Sequence, residues 1–228
     1  MITAIEALER LREGNRRFVE QAQACAAGSP PVLLTGHTPL ENLVSEQEPS
    51  AIVLGCSDSR VPAEIVFQQG LGDLFVIRVA GNVVAPSQVG SIEYAAEAFG
   101  TRLVVVMGHS GCGAVQATID QLRRPSELRS RNLRSIVDRI RPSLETLMET
   151  SLADDPEALM RHAVRANIRA SVQLLRQGSE VLEDLVRSAG LLVVGAEYSL
   201  ATGEVEFLDQ AYQGDGSGAG DPLTSSAG

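Results

Sequence analysis

Two short clusters of reactive side chains stand out in the sequence, CSDSR and HSGCG. The first places a thiol, a carboxylate and a guanidinium close together, at Cys56, Asp58 and Arg60. The second places an imidazole and another thiol together, at His109 and Cys112. Two thiolates and one imidazole form a ligand set that suits zinc and leaves one position of its tetrahedral shell open. That open position is typical of a catalytic zinc site, and Asp58 is the candidate for a fourth ligand.

Taken one at a time, these residues have ordinary structural interpretations as buried thiols, a core histidine, and an ion pair or helix cap. The occurrence of both clusters favours a metal site, and a purely structural zinc site would close with a fourth Cys or His. The remaining cysteine, Cys25, lies in a different sequence context, and His37 and His162 belong to no comparable pattern. We interpret these three residues as structural or surface groups.

The elements that must position the two clusters are buried strands. Runs rich in Val, Ile and Leu occupy residues 51–55, 74–79 and 103–108, and turn or helix signals follow each of them. Such continuous apolar runs are typical of parallel strands that are covered on both faces. The first and third runs end directly at the two clusters, and ligands of open α/β sheets bind at such strand ends.

Helical patterns alternate with these strands. Thr3 and Glu6 form a capping box that opens an amphipathic helix over residues 4–22. Further helices are predicted over residues 40–46, 63–69, 87–99 and 113–122, and from the cap Ser179 onward. Residues 130–178 have a helical composition, with interruptions predicted at Pro142 and at residues 154–156.

The predicted fold class is therefore α/β, with a mainly parallel sheet of about four to five strands flanked by helices. An N-terminal helical arm precedes the sheet, and residues 191–198 and 204–208 form a hairpin at one edge. Residues 1–212 are expected to form one domain. Residues 213–228 are rich in Gly and Ser, and we expect them to be a disordered tail.

Composition excludes several functional classes. The net charge of −10 over 228 residues argues against a nucleic-acid partner. No apolar run approaches the roughly 18 residues of a membrane span, so no membrane association is expected. The amphipathic, charged N-terminal segment is unlike a signal peptide, and a cytoplasmic location is therefore expected.

At the two clusters the sequence resembles the β-carbonic anhydrase family, which carries the signatures C-x-D-x-R and H-x-x-C. The resemblance extends to LREGNRRF, to GCSDSRVPAEIVFQQGLGDLFVIRVAGN and to VVGAEYSLATGEVEFL. It implies a Zn²⁺ cofactor with Cys56, His109 and Cys112 as ligands. It also implies the activity of a carbonate dehydratase, in which zinc-bound hydroxide converts carbon dioxide reversibly to bicarbonate and a proton.

The resemblance assigns a catalytic role to Asp58 and Arg60. Arg60 would hold Asp58 away from zinc, which leaves the carboxylate free to orient the nucleophile. In a closed state of some relatives the pair breaks and the aspartate becomes the fourth zinc ligand. Val53 stands where bicarbonate-regulated members often have Trp, although Arg78, which helps to bind that bicarbonate, is present. The sequence therefore favours an open, constitutively active site.

The resemblance also points to Gln47, Phe75 and Tyr94 as substrate-binding residues, in a pocket built between two subunits. Alone, they would be interpreted as a loop residue and two core aromatics. The expected partners are thus carbon dioxide or bicarbonate and a second copy of the chain. The N-terminal helix would contribute to a homodimer, which could assemble further into a tetramer or a higher oligomer.

Three alternatives differ in function. The same zinc site could hydrolyse carbon disulfide or carbonyl sulfide, because the ligands do not distinguish these substrates. A non-catalytic zinc scaffold is a second alternative, but it has no need of the pair Asp58 and Arg60. A nucleotide-binding α/β domain is disfavoured, because no G-x-G-x-x-G motif follows the first strand and no P-loop lysine motif occurs.

Overall fold

Within its described residues, the protein contains one five-stranded sheet. Its structure, a computed structural model, describes residues 2–27, 47–125 and 130–208. The strands are β1 (Ala51–Gly55), β2 (Leu74–Arg78), β3 (Leu103–His109), β4 (Leu192–Tyr198) and β5 (Val205–Phe207). Their order in the sheet is β2-β1-β3-β4-β5. The strands β1 to β4 are parallel, and β5 pairs antiparallel with β4 as an edge hairpin. The predicted α/β fold class is confirmed.

Helices cover both faces of the sheet. They are α1 (Ala4–Ala26), α2 (Ala63–Val66), α3 (Pro86–Ala98), α4 (Gly113–Arg123), α5 (Arg131–Met148), α6 (Pro156–Gln177) and α7 (Glu180–Ser188). Two 3-10 helices, Ala80–Asn82 and Ser151–Asp154, complete the described elements. The capping box at Thr3 and the cap at Ser179 are present as predicted. The helix predicted over residues 40–46 and the tail of residues 213–228 lie outside the described residues.

The interruption predicted at Pro142 is wrong, because α5 continues through it. A proline inside a helix leaves the carbonyl four residues earlier, that of Asp138, without its N–H donor. Both residues are exposed, so water can reach the carbonyl that lost its partner. On the opposite side of α5, Val137 and Ile140 are buried in the core and hold the helix in place. The second predicted interruption is confirmed, since α6 begins at Pro156.

Alternate strand residues enter two separate hydrophobic cores, one on each face of the sheet. Ile52 and Val104 pack on the face covered by α3 to α7. Val53 and Val105 pack on the face covered by α1 and α2. Because both faces are buried, β1 and β3 carry apolar residues at nearly every position. In the described part of the chain, no helix combines the length and apolar character needed to cross a membrane.

A buried side chain on α1, that of Asn15, joins distant parts of the chain. Its Nδ2 atom donates to the carbonyl oxygens of Val66 at 3.1 Å and Gly203 at 2.9 Å. Its Oδ1 atom accepts a hydrogen bond from the N–H of Val205 at 2.8 Å. Since both ends of this buried amide are satisfied, Asn15 fixes α1 against the end of α2 and against the β4–β5 hairpin.

The preceding residue, Gly14, allows α1 to approach the segment that follows α2. A Cβ atom at this position would lie 1.8 Å from the carbonyl oxygen of Phe67. We expect Gly14→Ala to lower the free energy of unfolding by about 3 kcal/mol, near the upper end of overpacking costs. That loss exceeds the advantage of about 0.5–1 kcal/mol that alanine has over glycine within a helix. Thermal unfolding should show Tm lowered by about 6–12 °C, at about 2–4 °C per kcal/mol.

Gln23→Ala is the control for this variant, because Gln23 is exposed on the same helix. A surface substitution of this kind should change the free energy of unfolding by less than about 0.5 kcal/mol. Equal Tm values for Gly14→Ala and Gln23→Ala would contradict the close approach of α1 to Phe67.

Candidate metal centre

The two reactive clusters meet at the carboxyl edge of the sheet. The strands that precede them, β1 and β3, are neighbours in the sheet although β2 lies between them in the sequence. Their register pairs Gly55 with Met107, so Cys56 and His109 emerge at the same edge. The direction of strand addition reverses between β1 and β3, and ligands of α/β sheets bind in the crevice at such a reversal.

Three side chains converge in this crevice: Cys56, His109 and Cys112 are all buried, and their ligand atoms lie within 4.8 Å of one another. The two Sγ atoms are 4.0 Å apart. Two thiolates bound to one tetrahedral zinc at about 2.3 Å would be separated by about 3.8 Å, so the spacing fits a shared ion. The three residues thus form a group that could hold a metal ion.

The orientation of His109 also fits a metal ligand. Its Nδ1 atom lies 3.0 Å from the carbonyl oxygen of Ser110, which makes Nδ1 the protonated nitrogen. Its Nε2 atom is buried and has no hydrogen-bond partner within the described residues. A buried nitrogen with a free lone pair is costly unless a ligand satisfies it. A backbone carbonyl on the other ring nitrogen is the usual support of a metal-bound histidine.

The two thiols change each other's acidity. A hydrogen bond from Cys112 lowers the pKa of Cys56, and contacts with His109 and with the N–H of Gly81 lower it further. The same sulfur contact raises the pKa of Cys112, and burial adds to that rise. Because metal binding requires thiolates, the affinity of this group for a metal depends on pH.

Beside the three ligands, Arg60 holds the carboxylate of Asp58 at both oxygens. Its Nε atom donates to Oδ1 at 2.9 Å, and its Nη2 atom donates to Oδ2 at 2.7 Å. This pairing holds the pKa of Asp58 well below its usual range. The Oδ2 atom lies 3.9 Å from Nε2 of His109, next to the ligand atoms but not in their group. An aspartate that served as fourth ligand would have to leave Arg60, so the structure has the arrangement of an open site.

Comparison with known proteins agrees with this geometry. The sequence model of a family described as carbonic anhydrase matches residues 51–205. The carbonic anhydrase of Mycolicibacterium smegmatis is 38% identical over 202 residues, which cover 89% of this chain and 92% of that protein. Carbonic anhydrase 2 of Mycobacterium tuberculosis is 36% identical over 207 residues, with coverage of 90% and 93%. The solved β-carbonic anhydrase CcaA superposes with a TM-score of 0.65 at 26% identity, with coverage of 90% and 93%. The chain belongs to the β-carbonic anhydrase family.

The three substrate-pocket residues expected for a β-carbonic anhydrase do not join the metal ligands within one chain. Gln47 is exposed and precedes β1, whereas the ligands follow the other end of that strand. Phe75 pairs with Ile52, four residues before Cys56, which corresponds to about 13 Å along the strand. Phe75 and Tyr94 contact each other, with ring centroids 6.3 Å apart. Their predicted substrate role therefore requires the metal centre of another chain.

Arg78 and Gly81 donate hydrogen bonds to residues 56–58, and the sequence alone does not predict these bonds. Arg78, considered above only for bicarbonate binding, donates to the carbonyl oxygens of Cys56 at 3.0 Å and Asp58 at 2.5 Å. The backbone N–H of Gly81 donates to Sγ of Cys56 at 3.3 Å. A backbone donor can come from any residue type, so only the three-dimensional path of the chain identifies it. An aromatic neighbour of Phe75 and Tyr94, Phe99, was also not expected.

Proposed function

We propose that the protein is a zinc enzyme that converts carbon dioxide reversibly to bicarbonate and a proton, with Cys56, His109 and Cys112 holding the zinc. Carbonate dehydratase is the activity of the family to which the chain belongs. The observation that carries the proposal is the Asp58–Arg60 pair beside three converging ligand atoms. The ligands alone would suit a zinc scaffold, whereas a fixed, ionised carboxylate beside an open position suits catalysis.

The residues around the site have different roles in the reaction. Zinc, when bound, supplies a Lewis acid that can lower the pKa of a water molecule to about 7. Asp58 accepts a hydrogen bond from the attacking water, which directs an oxygen lone pair toward the carbon atom of the substrate. Arg60 keeps that carboxylate ionised and holds both of its oxygens, so Asp58 does not take the position of the water. An uncharged, nonpolar substrate requires an apolar pocket, for which Phe75 and Tyr94 are the candidates.

The decisive experiment measures zinc content and carbon dioxide hydration on the same preparation. We expect about one zinc per chain, together with rapid proton release in stopped flow with a pH indicator. Removal of zinc by a chelator should abolish the activity, and added zinc should restore it. Parallel assays with carbonyl sulfide and carbon disulfide test the hydrolase alternative. Zinc-dependent sulfide release without carbon dioxide hydration would reassign the substrate, and stoichiometric zinc without either activity would leave a scaffold.

We also propose that the protein self-associates through the surface formed by β2 and α3. The strand β2 lies at the edge of the sheet, and its residues are only partly buried. Tyr94 on α3 is 57% exposed and contacts the partly buried Phe75 of β2, so the two rings form an apolar patch at this edge of the sheet. A homodimer through this surface would bring Gln47, Phe75 and Tyr94 of one chain toward the metal centre of the other. A cytoplasmic location and a further step to tetramers are parts of the same proposal.

Tyr94→Arg should weaken this association, because it places a charge at the centre of an apolar contact. In light scattering at micromolar concentration, the wild type should have at least twice the chain mass of 24.2 kDa. The variant should shift toward the mass of one chain. Leu174→Arg is the matched control, since Leu174 is 52% exposed on α6 and lies outside the proposed surface. A monomeric wild type, or equal effects of the two substitutions, would contradict the proposal.

A further inference from the structure

The Sγ atom of Cys56 accepts a hydrogen bond from the 3-10 helix Ala80–Asn82, which lies outside both reactive clusters. The donor is the N–H of Gly81, at 3.3 Å from Sγ. Gly81 is buried, and Cys56 is only 4% exposed, so water does not compete for this sulfur. A hydrogen bond to a ligand atom withdraws charge from it and so reduces what the ligand donates to a metal.

The 3-10 helix Ala80–Asn82 forms a tight turn, the 80–82 turn, whose backbone conformation needs support from its surroundings. Gly81 and Asn82 both have positive φ values, of 69° and 45°. Such values cost little for glycine but are uncommon for other residues, even asparagine. Backbone strain of this kind persists only where the surrounding structure holds it.

Helix α6 supplies that support through two buried side chains. Asn167 donates from Nδ2 to the carbonyl oxygen of Gly81 at 2.8 Å. Ser171 donates from Oγ to the carbonyl oxygen of Asn82 at 3.2 Å. Being four residues apart, the two donors lie on one face of α6. Each is 3% exposed, so water is not an alternative partner for either carbonyl.

The close packing of α6 on the sheet brings these donors within reach. Ile168, the residue after Asn167, fills the space beside two strand glycines. A Cβ atom would lie 2.7 Å from Ile168 at Gly108 and 2.8 Å from it at Gly195. The sheet therefore has no side chain at either position that would push α6 away from the turn.

We propose that Asn167, assisted by Ser171, is a positioning residue of the metal centre: it fixes the 80–82 turn so that the Gly81 amide reduces the charge donated by Cys56, an inference that rests on the proposed zinc site. Two thiolates neutralise the formal charge of a divalent cation and so weaken its ability to acidify water. The Gly81 hydrogen bond offsets part of that effect. Asn167 acts through Gly81, since its hydrogen bond goes to the carbonyl oxygen of that residue and not to a metal ligand.

The test replaces zinc with Co²⁺, whose thiolate-to-metal absorption band reports directly on sulfur donation. A hydrogen bond lowers the energy of the sulfur lone pairs, so its loss should move the band to longer wavelength. We expect that shift in full-length Asn167→Ala, and a smaller shift in the same direction in Ser171→Ala.

Val172→Ala is the control for general loosening of α6. Val172 is 4% exposed on the same helix, and its side chain packs in the core beside Gly195 of β4. This variant should melt earlier than the wild type but keep the wild-type cobalt band. Equal band positions in the wild type and in both turn variants would overturn the role of Asn167 but not the proposed metal site. A wild type without any thiolate band would overturn the proposed metal site as well. If Asn167→Ala does not fold, the cobalt band of Ser171→Ala is the test. A shift to longer wavelength supports the proposal, and an unshifted band overturns it.

Discussion

Cys112→Ser should fold but lose its zinc. Cys112 provides one of the two sulfurs that lie 4.0 Å apart, and an uncharged hydroxyl is a poor substitute for a thiolate. Even residues that only support a ligand account for about 10–100-fold in metal affinity, so losing the ligand itself should cost at least about 100-fold. After dialysis against a chelator, the variant should retain little zinc by elemental analysis. Its carbon dioxide hydration should fall to the uncatalysed background.

Cys25→Ser is the matched control, because Cys25 is the remaining cysteine of the sequence and lies on α1. It should retain about one zinc per chain, together with wild-type activity. Circular dichroism of both variants shows whether the fold survives. Full zinc occupancy in folded Cys112→Ser would remove Cys112 from the ligand set.

Asp58→Asn should separate metal binding from catalysis. The amide has nearly the same shape as the carboxylate, but it carries no charge and cannot pair with both donor atoms of Arg60. We therefore expect zinc to be retained while the hydration rate falls by about 100-fold, the size of loss that misplacing a reacting group causes. Stopped-flow assays and zinc analysis on the same sample measure the two quantities together.

Asp138→Asn makes the same chemical change in an exposed ion pair on α5, where Asp138 lies 3.8 Å from Arg141. Exposed pairs of this kind contribute less than about 1 kcal/mol to stability, so the control should keep its stability and its full activity. Unchanged turnover in Asp58→Asn would remove the carboxylate from the mechanism. Loss of zinc in that variant would instead make Asp58 a determinant of metal binding.

The sheet could be predicted because burial on both faces leaves a strong signal in the sequence. The strands β1 and β3 are short apolar runs, a pattern typical of buried strands, and the reactive clusters lie at their carboxyl ends. Parallel pairing of neighbouring strands then brings Cys56 and His109 to one edge without any knowledge of the loops. Pro142 shows the opposite case, in which tertiary contacts on one side of α5 outweigh a local helix-breaking preference.

The supports of the site could not be predicted in the same way. The donor to Cys56 is a backbone N–H, and its own support comes from Asn167, 86 residues further along the chain. Neither interaction follows from residue type or spacing, because each depends on how closely α6 approaches the sheet. Phe75 and Tyr94 could be paired with each other only once β2 and α3 were placed.

The contacts of Asn15 have a consequence for the synthesis of the chain. Its hydrogen bond to Val205 spans 190 residues, and its hydrogen bond to Gly203 spans 188. At a translation rate of about 5–20 residues per second, α1 leaves the ribosome about 10–40 s before its partners in the hairpin exist. During that interval the Asn15 amide cannot form its hydrogen bonds to Gly203 and Val205. Final docking of the first helix is therefore a late event that awaits nearly the whole domain.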